Sequence, residues 1–432
     1  VVANAIQKTV AIDREASFGD QSVKDWASLT ANGFVVNCFD LDYSNVRQAK
    51  IPNKNLEQRA GATRAGILAL RNHEFGFSRY LHGATSNAAE GAQAVRIAND
   101  ELLYNAMGGE HRGYAAGIAA GTATAPTVED ADGDNLVAYG WSYFFDTSAG
   151  TGRFRQYSAV TEGVGSDTLT MVTGHDLHFT PDGGGADVAY ACTAHYFDWD
   201  ALEDHTHANH TSLTAYIKGR HSEHSVEAKG CSCSLEVPAF EQGAPIELKF
   251  AFIGADFDGD GLTQAALAQT PDGSPGRVLG SGVATLFEIA DTASVLATQT
   301  VWGQIDIGVG VKKDPVSGIN GLEGIHGYGL TADSYDATSL GFTVPFDDSW
   351  ITAYRNETLY HVSIQCGTAA SNAVGFHFPN LSFSEEPQRV NVGGRDGLAL
   401  KFTCLERDVA QGALTAAQYH LARSKMYVLR VA

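Results

Sequence analysis

Apolar residues recur at every second position through much of this chain, the period of a half-buried β-strand. The clearest case is Ile246, Leu248, Phe250 and Phe252, with Glu247 and Lys249 on the other face. Val137, Tyr139, Trp141, Tyr143 and Phe145 predict one face of a second extended segment. Further strands are predicted at Ile305–Val309, Leu340–Val344, Leu359–Ile364 and Met426–Val431. The N-terminal region reads as strand, loop and strand, with Ala11 to Gly19 leading into a turn at Gly19-Asp20. Between Arg64 and Tyr80 the glycines argue against one long helix. A helix is predicted over Glu90–Met107, where Ala94, Val95, Ala98, Leu102, Leu103 and Ala106 follow the 3.6-residue period and Gly108-Gly109 ends it. The Gly/Ala-rich stretch Gly113–Pro126 predicts a flexible loop.

The strongest linker signal is Thr270-Pro271-Asp272-Gly273-Ser274-Pro275-Gly276. It divides the chain into residues 1–270, with insertions over about 110–200, a linker at 271–276, and residues 277–432. A short internal repeat spans that division. Ile246-Glu247-Leu248-Lys249-Phe250 recurs as Leu398-Ala399-Leu400-Lys401-Phe402, 398 − 246 = 152 residues further on. An Asp follows six residues after each Phe (Asp256, Asp408), and Ser212–Ile217 and Thr358–Ile364 are candidate partner strands upstream. The expected fold class is mainly β: two domains of the same kind in tandem, the first enlarged by insertions.

Composition supports this. Glycine, at 47 of 432 residues, exceeds the usual ~7% and fits many tight turns. Hydrophobic residues at 44% against 18% charged allow a large core. The net charge of −21 argues against clamping nucleic-acid phosphates and against binding anionic lipid headgroups. Six cysteines without a repeated spacing read as reduced, buried small residues, favouring synthesis in a reducing compartment. The first ten residues lack the apolar core of a signal peptide, and no run approaches the ~20 apolar residues of a membrane helix, so a soluble protein is expected.

Catalytic signatures are missing. There is no Gly-Lys dipeptide for a P-loop, no Gly-x-Ser-x-Gly elbow and no Gly-x-Gly-x-x-Gly spacing. His205, His207, His210, His221 and His224, with Cys231 and Cys233 beyond, offer zinc-ligand types. Their spacings fit a solvated loop better than a zinc site, and Cys231 and Cys233 alternate onto one face of a strand. Asp256-Phe257-Asp258-Gly259-Asp260-Gly261 opens like a calcium loop, so Asp256, Asp258 and Asp260 are the metal candidates. Leu267 stands where the twelfth-position Glu should be. Asp130, Asp132 and Asp134 around Gly133 form a second, equally incomplete run. No enzyme is expected, and no cofactor beyond that candidate Ca²⁺.

The order of features resembles the major tail tube proteins of long, non-contractile-tailed bacteriophages. Glu15-Ala16-Ser17-Phe18-Gly19 is similar to the Glu-x-x-aromatic-Gly near that family's start. It is followed by Trp26, a charged strand region (Arg47, Lys50, Lys54), and Arg64 to Leu81 leading to a short helix. Gly375-Phe376-His377-Phe378-Pro379-Asn380-Leu381 resembles the family's apolar-Pro strand, and Gly397 to Leu405 its last long strand. The likeness covers about the first 110 and the last 70 residues; the stretches near 110–200 and 310–345 have no counterpart.

The resemblance implies tail-tube β-sandwich domains with a flanking short helix and long hairpin arms. It implies a virion protein, assembled in the host cytoplasm, that self-associates into stacked rings forming a hollow tube. Tandem domains imply trimeric, pseudo-hexameric rings. The implied partners are further copies of the chain, the tape measure protein, the tail terminator and tail-tip proteins, and double-stranded DNA in transit without sequence reading; no membrane is implied. An acidic lumen repels phosphates within a Debye length of ~8–10 Å, and strand edges become assembly devices. Gly318–Tyr335 is expected to be an arm that orders only on polymerisation. Two alternatives stand: another β-sandwich virion or surface protein, such as a capsid decoration or a calcium-binding adhesin, and a metal-dependent hydrolase using the His205–His224 cluster.

Overall fold

The computed structural model describes residues 9–16, 18, 33–43, 50–51, 67–68, 73–84, 86–182, 187–203, 211–218, 226–241, 243–258, 285–322, 325–330, 338–368 and 373–431. The protein is mainly β, and every strand pairing among the described residues is antiparallel. The chain begins with β1 (Thr9–Arg14), β2 (Phe34–Val36), β3 (Phe39–Asp42), a small hairpin β4 (Lys50–Ile51) and β5 (Ile67–Leu68), then β6 (His73–Tyr80) and α1 (Ala98–Met107). An inserted region follows: β7 (Gly108–Arg112), β8 (Ala116–Gly121), β9 (Pro126–Glu129), α2 (Asp130–Gly133), β10 (Trp141–Asp146), β11 (Thr151–Thr161), β12 (Ser166–Met171), β13 (Val188–Phe197) and α3 (Trp199–Glu203). The chain continues through β14 (Leu213–Lys218), β15 (Val226–Glu241), β16 (Glu247–Gly254) and β17 (Asp256–Asp258).

The later chain holds β18 (Thr285–Asp291), β19 (Ala297–Thr298), β20 (Trp302–Gly308), the hairpin β21 (Lys313–Leu322) and β22 (Ile325–Leu330), and β23 (Ser339–Pro345). It ends with α4 (Asp348–Arg355), β24 (Tyr360–Cys366), β25 (Val374–Phe383), β26 (Gln388–Val392), β27 (Arg395–Cys404), α5 (Ala416–Arg423) and β28 (Tyr427–Val431).

One pairing plan occurs twice. In the earlier chain the strands run β1-β14-β15-β16-β6, with β2 beside β1 and β3 beside β6. In the later chain they run β18-β24-β25-β27-β23, with β19 beside β18 and β20 beside β23. A separate two-stranded hairpin stands between β3 and β6, and again between β20 and β23. Helix α1 follows β6 as α4 follows β23. The repeated pentapeptides lie in β16 and β27, at equivalent places: Phe250 faces Leu235 and Phe77, and Phe402 faces Phe383 and Leu340. Even the solvent face repeats, with Lys249 3.5 Å from Glu236 and Lys401 2.9 Å from Glu385.

The two plans share pairings and core. Phe240 of β15 lies opposite Ile305 of β20, and one apolar cluster runs from Val10 and Phe250 to Phe376 and Phe402. The division expected at residues 271–276 lies outside the described residues.

The insertion closes on itself. Strands β8, β9, β12, β11, β10 and β13 pair in that order and β13 returns to β8, a six-stranded barrel with no open edge. Its interior is filled by Ile118, Val128, Phe144, Tyr157, Leu169 and Ala189. The second half of β13 leaves the barrel to pair with β7 and β28, and β28 pairs with β25. The barrel is thus inserted in the earlier chain but attached to the later one.

Four expectations are corrected. The helix starts at Ala98 rather than Glu90, because Gly91 takes φ +70° and Gln93 and Ala94 bond to Tyr114 and Gly113 instead. The Gly/Ala stretch holds strand β8, paired with β9 and β13, with Ala116 and Ile118 in the barrel core and Ala119 to Gly121 half-buried or exposed. Strand β10 begins at Trp141; Val137 and Tyr139 precede it in a turn closed by Gly140 N–H to Val137 O, with Tyr139 at φ +61°. Of the arm expected over Gly318–Tyr335, the described residues 318–322 and 325–330 are already strand in the single chain, in the paired β21 and β22, and the rest lies outside the described residues.

Candidate functional site

Strand β17 carries Asp256 to Asp258 in register with Lys229 to Glu227 of β15, and Asp256 Oδ1 accepts the Phe257 N–H at 2.8 Å. Asp260 and the histidines between 205 and 224 lie outside the described residues. Cys231 and Cys233 both point into the core from β15, as their alternation predicts.

Two groups of three ligand-type side chains, each with its ligand atoms within 4.8 Å of one another, occur among the described residues. The first is Asp100, Glu110 and His195. It is filled by protein charge. Arg430 of β28 donates to Asp100 through Nε at 2.6 Å and again through Nη2, and His195 Nε2 lies 3.1 Å from the same carboxylate. Asp100 also accepts the Ile97 N–H at 2.8 Å, which fixes the start of α1. Burial alone would raise this carboxyl; Arg430 and His195 overrule it and hold it well below the usual range. Next to it, Arg14 of β1 binds Glu101 in bidentate fashion at 2.8 and 2.9 Å. This network ties α1 to β1, β13 and the last strand.

The second group is Glu90, Glu129 and Asp132. Asp132 is buried on α2 and accepts the Gly117 N–H at 3.3 Å, while the two glutamates are exposed. Of the run Asp130, Asp132 and Asp134 seen in the sequence, only Asp132 joins it. Hard carboxylate oxygens suit Ca²⁺, and among the described residues these three are placed to hold it.

A third cluster escaped the sequence pattern. His175, between barrel strands β12 and β13, meets His377 of β25 with ring centroids 4.7 Å apart, and His361 of β24 lies 5.9 Å from His175. Trp141 covers both His175 and His377, at 5.4 and 5.0 Å. His175 Nδ1 accepts the Gln156 N–H, and His361 Nε2 reaches Ser294 O at 3.0 Å. Neither ring nitrogen of His377 has a hydrogen-bond partner among the described residues. Burial lowers all three histidines, His361 to about 4 and the other two well below 6.5, and Arg155 and Arg407 add repulsion. The cluster is therefore neutral, and two nearby guanidinium groups disfavour a metal dication there.

The barrel is held to the later strands by buried charge as well. Arg155 of β11 donates to both Glu288 oxygens, at 2.8 and 2.9 Å, and Arg153 pairs with the same carboxylate. Gln365 of β24 donates to Gly152 O at 2.8 Å.

An open groove of about 940 Å³ lies across β3, β6, β16 and β15. Phe75, Phe77, Phe250 and Phe252 line it, with exposed Asp40, Asp42, Glu74 and Glu236 against Lys249. At its side Lys313, the first residue of β21, is buried and donates to Asn105 O at the end of α1 and to Ser232 Oγ at 2.9 Å. Burial lowers its ammonium to about 8. Tyr328 of β22 donates to Gly230 O. The later hairpin is thereby anchored on the earlier strand plan.

No helix among the described residues is long and apolar enough to cross a membrane. No family model matches the chain, and no curated protein matches it.

Proposed function

We propose that this chain is a structural virion subunit that self-assembles into stacked rings, forming the hollow tail tube of a long-tailed phage. The observation that carries this reading is the doubled strand plan joined at β15–β20. A chain whose two halves follow one plan, and already pair edge to edge, has the makings of a heterologous ring. Each half would act as one tube domain, giving a trimer with pseudo-sixfold symmetry. The hairpin β21–β22 already reaches from the later plan to the earlier one within the chain, and β4–β5, at the equivalent place, is the arm that would reach a neighbouring copy. The acidic strand face at Asp40, Asp42, Glu74 and Glu236 and the net charge of −21 suit a conduit past which DNA slides without binding. In such a tail the rings would meet a tape measure protein, a terminator and tail-tip proteins.

A second reading, a capsid decoration or adhesin, draws on the closed barrel with its own core and the fully exposed Val164 at its β11–β12 turn. It requires saturable attachment to another surface without homopolymerisation.

Negative-stain electron microscopy of the concentrated protein at moderate salt separates the two. Hollow, axially striated filaments with threefold or pseudo-sixfold end views are expected. Dispersed monomers at every salt and concentration would overturn the tube reading.

A further inference from the structure

The junction between the two strand plans specifies where a second copy binds. We infer that β26 of one chain adds edge to edge onto β3 of the next, as β15 adds onto β20 within the chain. This deepens the assembly reading and rests on it for self-association, but the strand pair and its register come from the internal equivalence.

Lys249 and Lys401 occupy equivalent positions, so their neighbours can be matched. Lys249 faces Ser78 and Lys401 faces Gly341; Ser78 faces Phe39 of β3, and Gly341 faces Asp306 of β20. Phe39 therefore matches Asp306, and Cys38 matches Ile305. On the donor side, the β15–β16 register ends with Glu236 opposite Lys249; continued past the irregularity between Val237 and Phe240, it would bring Phe240 opposite Pro245. Pro245 matches Gly397 at the same offset of 152, and Gly397 faces Val390 of β26. Val390 therefore matches Phe240. Within the chain Phe240 lies directly opposite Ile305. Between chains, Val390 would lie directly opposite Cys38.

The two ends differ in the way this requires. Strand β15 is flanked by β16 and, at its distal end, by β20. Strand β26 pairs with β27 alone among the described residues, and its side chains are exposed or half-buried. An edge strand of this kind is a template for another chain. Because the donor lies in the later plan and the acceptor in the earlier one, the contact is head-to-tail. It is heterologous, so successive copies add in one direction, as a ring of the proposed kind needs, rather than as a two-fold dimer.

The test is a disulfide. Directly opposed residues in an antiparallel pair have Cβ atoms ~4.5–5.5 Å apart, within reach of a bridge after a small adjustment. Cys38 is the only cysteine that is not fully buried. Full-length Val390→Cys, assembled and then treated with oxidised glutathione, should form intermolecular disulfides, seen as a ladder on non-reducing gels that ends at the ring's chain number. The wild type and the double variant Cys38→Ala/Val390→Cys should give none. Val390 is half-buried on an edge, so the variant is expected to fold, and reaction of its new thiol with maleimide before assembly checks this.

Rings or tubes by microscopy without the covalent ladder would overturn this pairing and leave the tube reading intact. Covalent closed rings that never stack would support the pairing and sink the tube. A protein that stays monomeric would overturn both.

Discussion

His377 of β25 and His175 beside the inserted barrel stand ring to ring, 4.7 Å apart, with His361 completing a buried group between the barrel and the later strand plan. The barrel enters the chain between α1 and β14, yet it rests on strands that come more than a hundred residues later.

That arrangement should make the protein acid-labile. The folded histidines are depressed below their ordinary 6.5, to about 4 for His361, so the unfolded chain binds protons that the folded chain does not. Their stabilisation is full above pH 6.5 and is lost as pH falls towards 4, by roughly 3 kcal/mol for one such histidine. His73, His111 and His178 are also lowered to about 4 by burial and add to the loss. Urea unfolding should show a midpoint that falls between pH 7 and 4.5. In His377→Leu the fall should be shallower, and at pH 8 the variant should be as stable as the wild type or more so, since it loses an imidazole with no partner. An unchanged slope in this variant would count against the account.

Glu288 should matter more than any surface acid. It is 1% exposed and faces both Arg155, also 1% exposed, and Arg153. Glu288→Gln removes the charge and leaves two guanidinium groups at the barrel's seat, one of them fully buried. Breaking a buried pair in this way costs about 3–5 kcal/mol. Hydrogen exchange should locate the damage: faster exchange along β11 and β18, with β1 and β14 unchanged. Uniform acceleration over the whole chain would show that the barrel is not a separately docked unit.

The repeated surface pairs carry the opposite expectation. Lys249–Glu236 and Lys401–Glu385 have side chains 40% to 69% exposed, and ion pairs of that kind contribute ~0–1 kcal/mol. Lys249→Ala and Lys401→Ala should each leave the denaturant midpoint nearly unchanged. If instead either variant impairs ring formation at unchanged monomer stability, that face lies in an assembly contact.

How far these features can be read from the chain depends on where their causes lie. Strands β16 and β27 were legible because apolar alternation over seven residues, 246–252 and 398–404, leaves one interpretation, and their shared pentapeptide pointed to the doubled plan. The barrel was not, because Gly117, Ala119 and Ala120 carry no periodicity, and their role depends on strands β9 and β13 arriving from elsewhere. The helix start was missed because alanines at 92 and 94 fit a helix locally while Gly91 and the Gln93–Tyr114 bridge take the backbone elsewhere. The histidine cluster is spread from 175 to 377, so no spacing rule could gather it. A fainter signal was present: His377 is flanked by Phe376 and Phe378 in a run that reads as a strand buried on both faces. A lone imidazole there has to be neutral or paired.

The cysteines give a last, inexpensive check on the core. Five of the six are buried, and burial raises Cys233 to about 12 and Cys366 to about 11, with Cys192, Cys231 and Cys404 also pushed up. A thiol reacts as its thiolate, so these groups are doubly protected, by access and by ionisation. Cys38, half-buried between β2 and β3, is the exception. Titration of the native monomer with a thiol-specific chromophore at pH 8 should therefore release about one equivalent rapidly and the other five only on unfolding. Assembly should then protect that single fast thiol, because the site inferred for the next copy's β26 lies across it. Rapid reaction of two or more thiols in the monomer would mean that β15 or β24 is less securely packed than the structure has it.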